Sequence, residues 1–224
     1  PAKMIHRTGS HCVESGVPRN AEIALVVSEN ALKHMPFERR RFHTRRVQVY
    51  EQGTPRKTLE GLTRLGGTLI AGSVPTVSRI GAPVDYILAE DLKDHPGNYK
   101  LYIFLNAFCS DPEFLQAVAK LRQKKCVLAW FYAPGYICGK DHGTEYMKKL
   151  TGFDFGKSDK PMIMKFDLPT NETVGCGNEP VAPVFYVKPS PGVKLLAPYK
   201  NSGLTGFAER NNGKATDIYI GSWH

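Results

Sequence analysis

The chain of 224 residues contains no run of about 18 apolar residues, the length a membrane-crossing helix needs. No helical membrane span, and no membrane partner, is therefore expected. The first sixteen residues are polar and lack an apolar stretch followed by a small-residue cleavage site, so they do not read as a signal peptide. No C-x-x-C pair occurs. The five cysteines (Cys12, Cys109, Cys126, Cys138 and Cys176) are odd in number and irregularly spaced, which points away from a disulfide framework and from a structural zinc site. Cys109 and Cys126 lie in or beside apolar runs and read as small buried hydrophobes. Acidic residues are the scarcer sign, 21 against 30 basic, for a net charge of +9. Part of the excess sits in Arg39, Arg40, Arg41, Arg45 and Arg46, followed by Arg56 and Lys57. Such a patch suits phosphate or an acidic surface. Without a zinc-finger, RNP or helix-turn-helix pattern it reads first as a solvated loop or docking face, with nucleic-acid binding as an alternative. The chain is also too short for a TIM barrel, whose eight βα units need about 250 residues.

What is present is an alternation of strand and helix signals. The run 22–27 (EIALVV) is continuously apolar and β-branched, as a strand buried on both faces should be. In 55–80, Leu59, Leu62, Leu65 and Leu69 recur at helical spacing, but Gly66, Gly67, Gly72 and Pro75 interrupt any single helix. A second strand is expected over 84–88 and a third over 100–105 (KLYIFL). Ser110 with Glu113 has capping-box spacing and Pro112 suits a first helical turn. Phe114, Leu115, Val118 and Leu121 then form one apolar stripe, and Lys120, Arg122, Lys124 and Lys125 crowd the end where cations suit the helix dipole. The run 126–132 (CVLAWFY) reads as the next strand, parallel to the last through a right-handed crossover. A short helix is expected over 141–150, then short strands over 162–168, 184–187, 194–196, 204–208 and 217–220 between Pro and Gly turns. A doubly wound sheet would place a helix after that last strand, so the chain reads as stopping in the middle of a unit.

Three phrases carry a family likeness: GAPVDYILAEDL from Gly81, YKLYIFLNAF from Tyr99 and VLAWFYAPGYI from Val127. Together they resemble the class I glutamine amidotransferase-like domain of family 42-type glycoside hydrolases and related bacterial proteins, the part called the β-galactosidase trimerisation domain. The likeness covers roughly residues 20–150, with ATDIYIGS from Ala215 similar to the domain's late strand. It implies an α/β, flavodoxin-like fold: a three-layer parallel sheet with a β-rich C-terminal extension. Residues 1–19 are then an N-terminal extension and 20–224 the domain, with 153–214 a β-rich insertion or extension. It also implies that catalytic carboxylates belong to a preceding barrel domain. This part would pack against that neighbouring catalytic domain and help assemble a homo-oligomer.

The catalytic alternative is a cysteine nucleophile. Amidotransferases place cysteine at the centre of a Gly-x-Cys-x-Gly bend, where the thiol meets backbone donors. The frame here, Gly135 to Gly139, is centred on Ile137, and Cys138 is one residue off. His142, four residues later, would share a helical face with Cys138, so Cys138 and His142 form the alternative catalytic pair. Trp130, Tyr132 and Tyr136 cluster at a strand end, where open α/β sheets bind ligands, and are the carbohydrate-facing candidates. Glu90, Asp91 and Asp94 follow a strand and suit loop solvation or helix capping. The first turn, Ser28 to Ala31, lacks the Gly/Ser/Thr character of a phosphate cradle and carries Glu29, so no flavin, other cofactor or metal is expected. Asn171-Glu172-Thr173 fits a glycosylation sequon. The reading that joins these points is a non-catalytic structural and oligomerisation domain of a larger glycoside-hydrolase-like protein, bordering a carbohydrate site.

Overall fold

The computed structural model describes residues 21–34, 69–70, 72–170, 172–175 and 180–222. Chain order begins with strand β1 (Ile23–Val27), helices α1 (Glu29–Leu32) and α2 (Ser73–Val77), and strand β2 (Val84–Leu88), which a 3-10 turn (Ala89–Asp91) follows. Next come β3 (Leu101–Phe104), α3 (Pro112–Leu121), β4 (Val127–Phe131), the two-residue strands β5 (Ile137–Cys138) and β6 (Asp141–His142), and α4 (Thr144–Thr151). The remainder is strands alone: β7 (Phe155–Ser158), β8 (Lys165–Asp167), β9 (Thr173–Gly175), β10 (Val184–Val187), β11 (Val193–Pro198), β12 (Thr205–Asn212) and β13 (Ala215–Ile220).

Nine strands form one mixed sheet in the order β2-β1-β3-β4-β13-β12-β10-β7, with β11 added beside β12. The five strands from β2 to β13 are parallel. From β13 onward every pairing is antiparallel. The sheet is therefore mixed rather than parallel throughout: the late strand β13 pairs with β4, and the β-rich part extends the same sheet antiparallel through β12, β10 and β7.

Period-two alternation within the parallel strands supplies two cores. Ala24 and Val26 of β1, Tyr102 and Phe104 of β3, and Leu128 and Trp130 of β4 face the larger core, against Phe114, Ala117, Val118 and Leu121 of α3. Ile23, Leu25 and Ile103 face the other side, against Val77 of α2. Both sides of the central strands are covered, so their sequences are continuously apolar rather than alternating. Each fully buried Leu, Val or Phe contributes about 1.5–3 kcal/mol.

Helix α3 forms where its signals converge, but its cap is Asp111 rather than Ser110. The Phe114 amide donates to the Asp111 carboxylate at 2.8 Å, while the Ser110 hydroxyl donates to the Gly135 carbonyl at 3.2 Å. Helix α4 stops at Gly152, whose φ of 83° supplies the left-handed cap. One buried carboxylate ties these elements to the sheet. Asp217 of β13, with no solvent exposure, accepts from Arg122 Nε at 3.0 Å, Arg122 Nη2 at 2.8 Å, Trp130 Nε1 at 2.8 Å and Asn212 Nδ2 at 2.6 Å. Arg122 Nη2 also donates to the Leu150 carbonyl at the end of α4, at 2.7 Å.

Candidate functional site

In an open parallel sheet, ligands bind where the connections from neighbouring strands diverge at the carboxyl ends. Here β1 lies between β2 and β3, so that place is above β1 and β3. It is occupied by the chain's own groups. Asn106, just past β3 and fully buried, accepts from the Ser28 amide at 2.7 Å and donates through Nδ2 to the Ser28 carbonyl at 2.9 Å. Its carboxamide thus acts as one more rung between β1 and β3. Glu90, in the turn after β2, accepts from the Ser28 hydroxyl at 2.8 Å and from the Asn30 and Glu29 amides at 3.0 and 3.2 Å. Burial pushes its carboxyl up, but the hydrogen bonds from Asn30, Ser28 and Glu29 outweigh burial and hold it below the ordinary carboxylate value. The amides that would meet a phosphate at a first βα turn already meet this carboxylate.

The remaining crevice, lined by Glu90, Lys93, Cys109, Asp111, Glu113 and Phe114 among others, holds about 140 Å³. Ligand pockets for small molecules begin at about 300 Å³. Burial, with the Asp111 and Glu90 carboxylates adding, pushes the Cys109 thiol up to about 11. A thiol held protonated in this way is a poor nucleophile at neutral pH. Among the described residues no group of three or more His, Cys, Asp or Glu side chains is placed to hold a metal ion.

The sharp bend after β4 falls at Tyr132, where φ is +59°. Its amide donates to the Ile220 carbonyl at 3.0 Å, its hydroxyl donates to the Pro183 carbonyl at 2.8 Å, and the residue is 8% exposed. The frame centred on Ile137 is consequently not the bend. Ile137 and Cys138 form β5, which pairs with β6 so that Ile137 faces His142 and Cys138 faces Asp141. Neighbouring residues on a strand point to opposite faces, so the Cys138 thiol and the His142 imidazole leave the hairpin on opposite sides. Helix α4 begins only at Thr144, and the shared helical face expected for that pair does not exist.

Of the three carbohydrate-facing candidates, Trp130 is fully buried, stacked on Phe104 with ring centroids 4.1 Å apart. It offers no face to a sugar. Tyr132 is fixed in the core as described. Tyr136 is partly exposed and packs against Phe185 at 4.8 Å and His142 at 5.5 Å. Of the acidic cluster, Glu90 does cap a helix. The patch Arg39, Arg40, Arg41, Arg45 and Arg46, the sequon asparagine Asn171, and His224 lie outside the described residues. Sequence reasoning missed Asn106, and it named Tyr132 only as a carbohydrate-facing aromatic, not as the bend. The first carries a weak signal, a carboxamide directly after an apolar strand; the second carries none, since tyrosine rarely adopts positive φ.

No protein-family profile and no curated protein matches the chain. Solved structures do. Gan42B, a GH42 β-galactosidase from G. stearothermophilus, superposes with a TM-score of 0.56 at 15% identity, over 91% of this chain and 27% of that one. The β-galactosidase of the Antarctic haloarchaeon Halorubrum lacusprofundi gives 0.57 at 11% identity, over 91% and 28%. That of Bacillus circulans sp. alkalophilus gives 0.55 at 13%, over 91% and 29%. At these identities the fold alone is shared, and the chain spans a little over a quarter of each neighbour's length.

Proposed function

We propose that this chain is a non-catalytic structural and assembly domain of a larger glycoside-hydrolase-like protein. The observation that carries the reading is the state of the strand ends. Asn106, Glu90 and Tyr132 stand where a ligand or nucleophile would be presented, and each is engaged in hydrogen bonds within the chain. The order 2-1-3-4-5 of the parallel strands, with β13 counted fifth, supports a flavodoxin-like winding. Likeness to a fraction of several β-galactosidases supports a place beside a separate catalytic domain, where the surfaces of this domain would contribute contacts between domains and between copies. The partly exposed Tyr136 is the aromatic left to border a carbohydrate site.

The test is direct. The purified chain is assayed against p-nitrophenyl β-D-galactopyranoside and against glutamine, and its mass is measured by light scattering across the micromolar range. Neither substrate should turn over above the buffer blank, and the mass should exceed that of one chain. Turnover abolished by Cys138→Ala or Cys109→Ala would overturn the non-catalytic reading, and a monomer at every concentration would overturn the homo-oligomer.

A further inference from the structure

The opposite end of the sheet, where the parallel strands begin, has a different character. Helices α3 and α4 both finish there, and the turn between β12 and β13 closes over them. These elements bound a groove of about 480 Å³ lined by Arg122, Gln123, Lys149, Arg210, Asn212 and Lys214, with the backbone of Gly152 and Gly213. The arginines also serve the fold: Arg122 neutralises Asp217, and Arg210 donates to the Gly152 carbonyl. Lys149 and Lys214 are exposed and, with Arg210, have no carboxylate partner among the described residues. Of the neighbouring carboxylates, Glu22 is paired with Lys100, Asp154 with Lys148 and the buried Asp217 with Arg122, and Glu209, beside Arg210 on β12, lies opposite Lys194 on β11. Exposed Lys120 and Lys125 extend the positive surface beyond the groove, and the half-buried Lys124 donates to the Gly97 carbonyl. The excess of cations is thus local, built into a concave surface, and not cancelled by described neighbours.

We infer that this groove docks an acidic polypeptide segment, the partner chemistry through which the proposed assembly domain engages its neighbour. The choice of polypeptide over nucleic acid rests on the lining. It holds no aromatic ring on which a base could stack, which single-strand binding surfaces use, whereas Gln123, Asn212 and lysine ammonium groups suit scattered carboxylates and backbone carbonyls. Complementary charge of this kind sets encounter rate and orientation, and it weakens with salt.

The probe is fluorescein-labelled decaglutamate, followed by fluorescence anisotropy with the full chain at about 25 mM salt, where the Debye length is near 20 Å. Binding is expected, falling steeply as salt rises. Lys149→Glu with Lys214→Glu should weaken it roughly tenfold or more, and the matching Gln pair by an intermediate factor. Lys160→Glu with Lys200→Glu, the same charge change on a second basic hollow of the surface, should change it less than about twofold. Unchanged melting curves would certify the folds. No binding at low salt, equal losses from the two reversed pairs, or tighter binding of a decathymidylate would each overturn the inference. Because this rests on the assembly reading, the outcomes separate: turnover by the chain would sink that reading, while failure of decaglutamate to bind would sink only the groove.

Discussion

Arg122→Met is the sharpest perturbation of the fold. It removes two of the four donors to the Asp217 carboxylate, at 3.0 and 2.8 Å, and a third contact, to the Leu150 carbonyl at 2.7 Å. Asp217 has no exposure and the Arg122 side chain retains 19%, so water cannot readily take the guanidinium's place. Breaking a buried pair by deleting one partner costs about 3–5 kcal/mol, because the remaining charge is stranded. Domains of ordinary stability hold about 5–15 kcal/mol in total, so the loss is a large share. For a chain of this length each kcal/mol moves the melting temperature by about 2–4 °C, giving an expected drop of about 6–20 °C. Urea unfolding followed by tryptophan fluorescence and circular dichroism should show a lower midpoint with an unchanged slope. The pairing also predicts coupling. Replacing both charges, Arg122→Met with Asp217→Leu, should cost less than the sum of the two single changes, because no charge is then stranded, although Trp130 Nε1 and Asn212 Nδ2 lose their acceptor. A single-mutant cost under about 1 kcal/mol, as for an exposed pair, or a double mutant worse than the sum of the singles, would refute the reasoning.

Glu90→Gln should cost about 1–2 kcal/mol at pH 7, the value of a lost charged cap. Because the Glu90 carboxyl is held below its ordinary value of 4.5, the stability it contributes is present above pH 4.5 and is lost as pH falls below it; the gap between variant and parent should therefore close in acid, and a gap that persists there would contradict the capping role. Asn106→Ala removes both rungs to Ser28 and leaves a buried amide and carbonyl of Ser28 without that partner. The expected cost is about 2–4 kcal/mol by urea denaturation, and a neutral result would show that the strand ends are not held together by this side chain.

How much of this was legible depends on whether the cause was local. Strands 84–88 and 184–187 form over the expected residues because each follows a proline and is rich in β-branched and aromatic residues, and α3 appears because Pro112, an acidic first turn and a stripe on one face agree. The strand β7 (FGKS) was not read: it is short and polar, and its Gly156 is required by the Tyr186 ring packed over it, a contact made from across the sheet. Pairing of β13 with β4 joins residues about ninety positions apart, and nothing within either strand encodes it. The Cys138 and His142 spacing suited a helix, but Gly139, at φ 63°, instead opens a two-residue hairpin loop, and that single conformation separates the two side chains. Burial of Trp130 follows from Asp217, whose carboxylate receives the indole N–H from another strand. The aromatic signal at the strand end was real, and its destination was the core.

The most direct measurement of the central claim is the alkylation rate of each thiol by iodoacetamide, resolved by mass spectrometry as a function of pH. With its thiol held up to about 11, Cys109 should react more slowly than free cysteine at neutral pH and accelerate only as pH approaches that value. Cys138 should show no dependence on His142, since the two side chains leave opposite faces of their hairpin. Reaction of either thiol roughly tenfold faster than free cysteine near pH 7, with the acceleration lost on His142→Ala, would mean that a nucleophile is being presented after all.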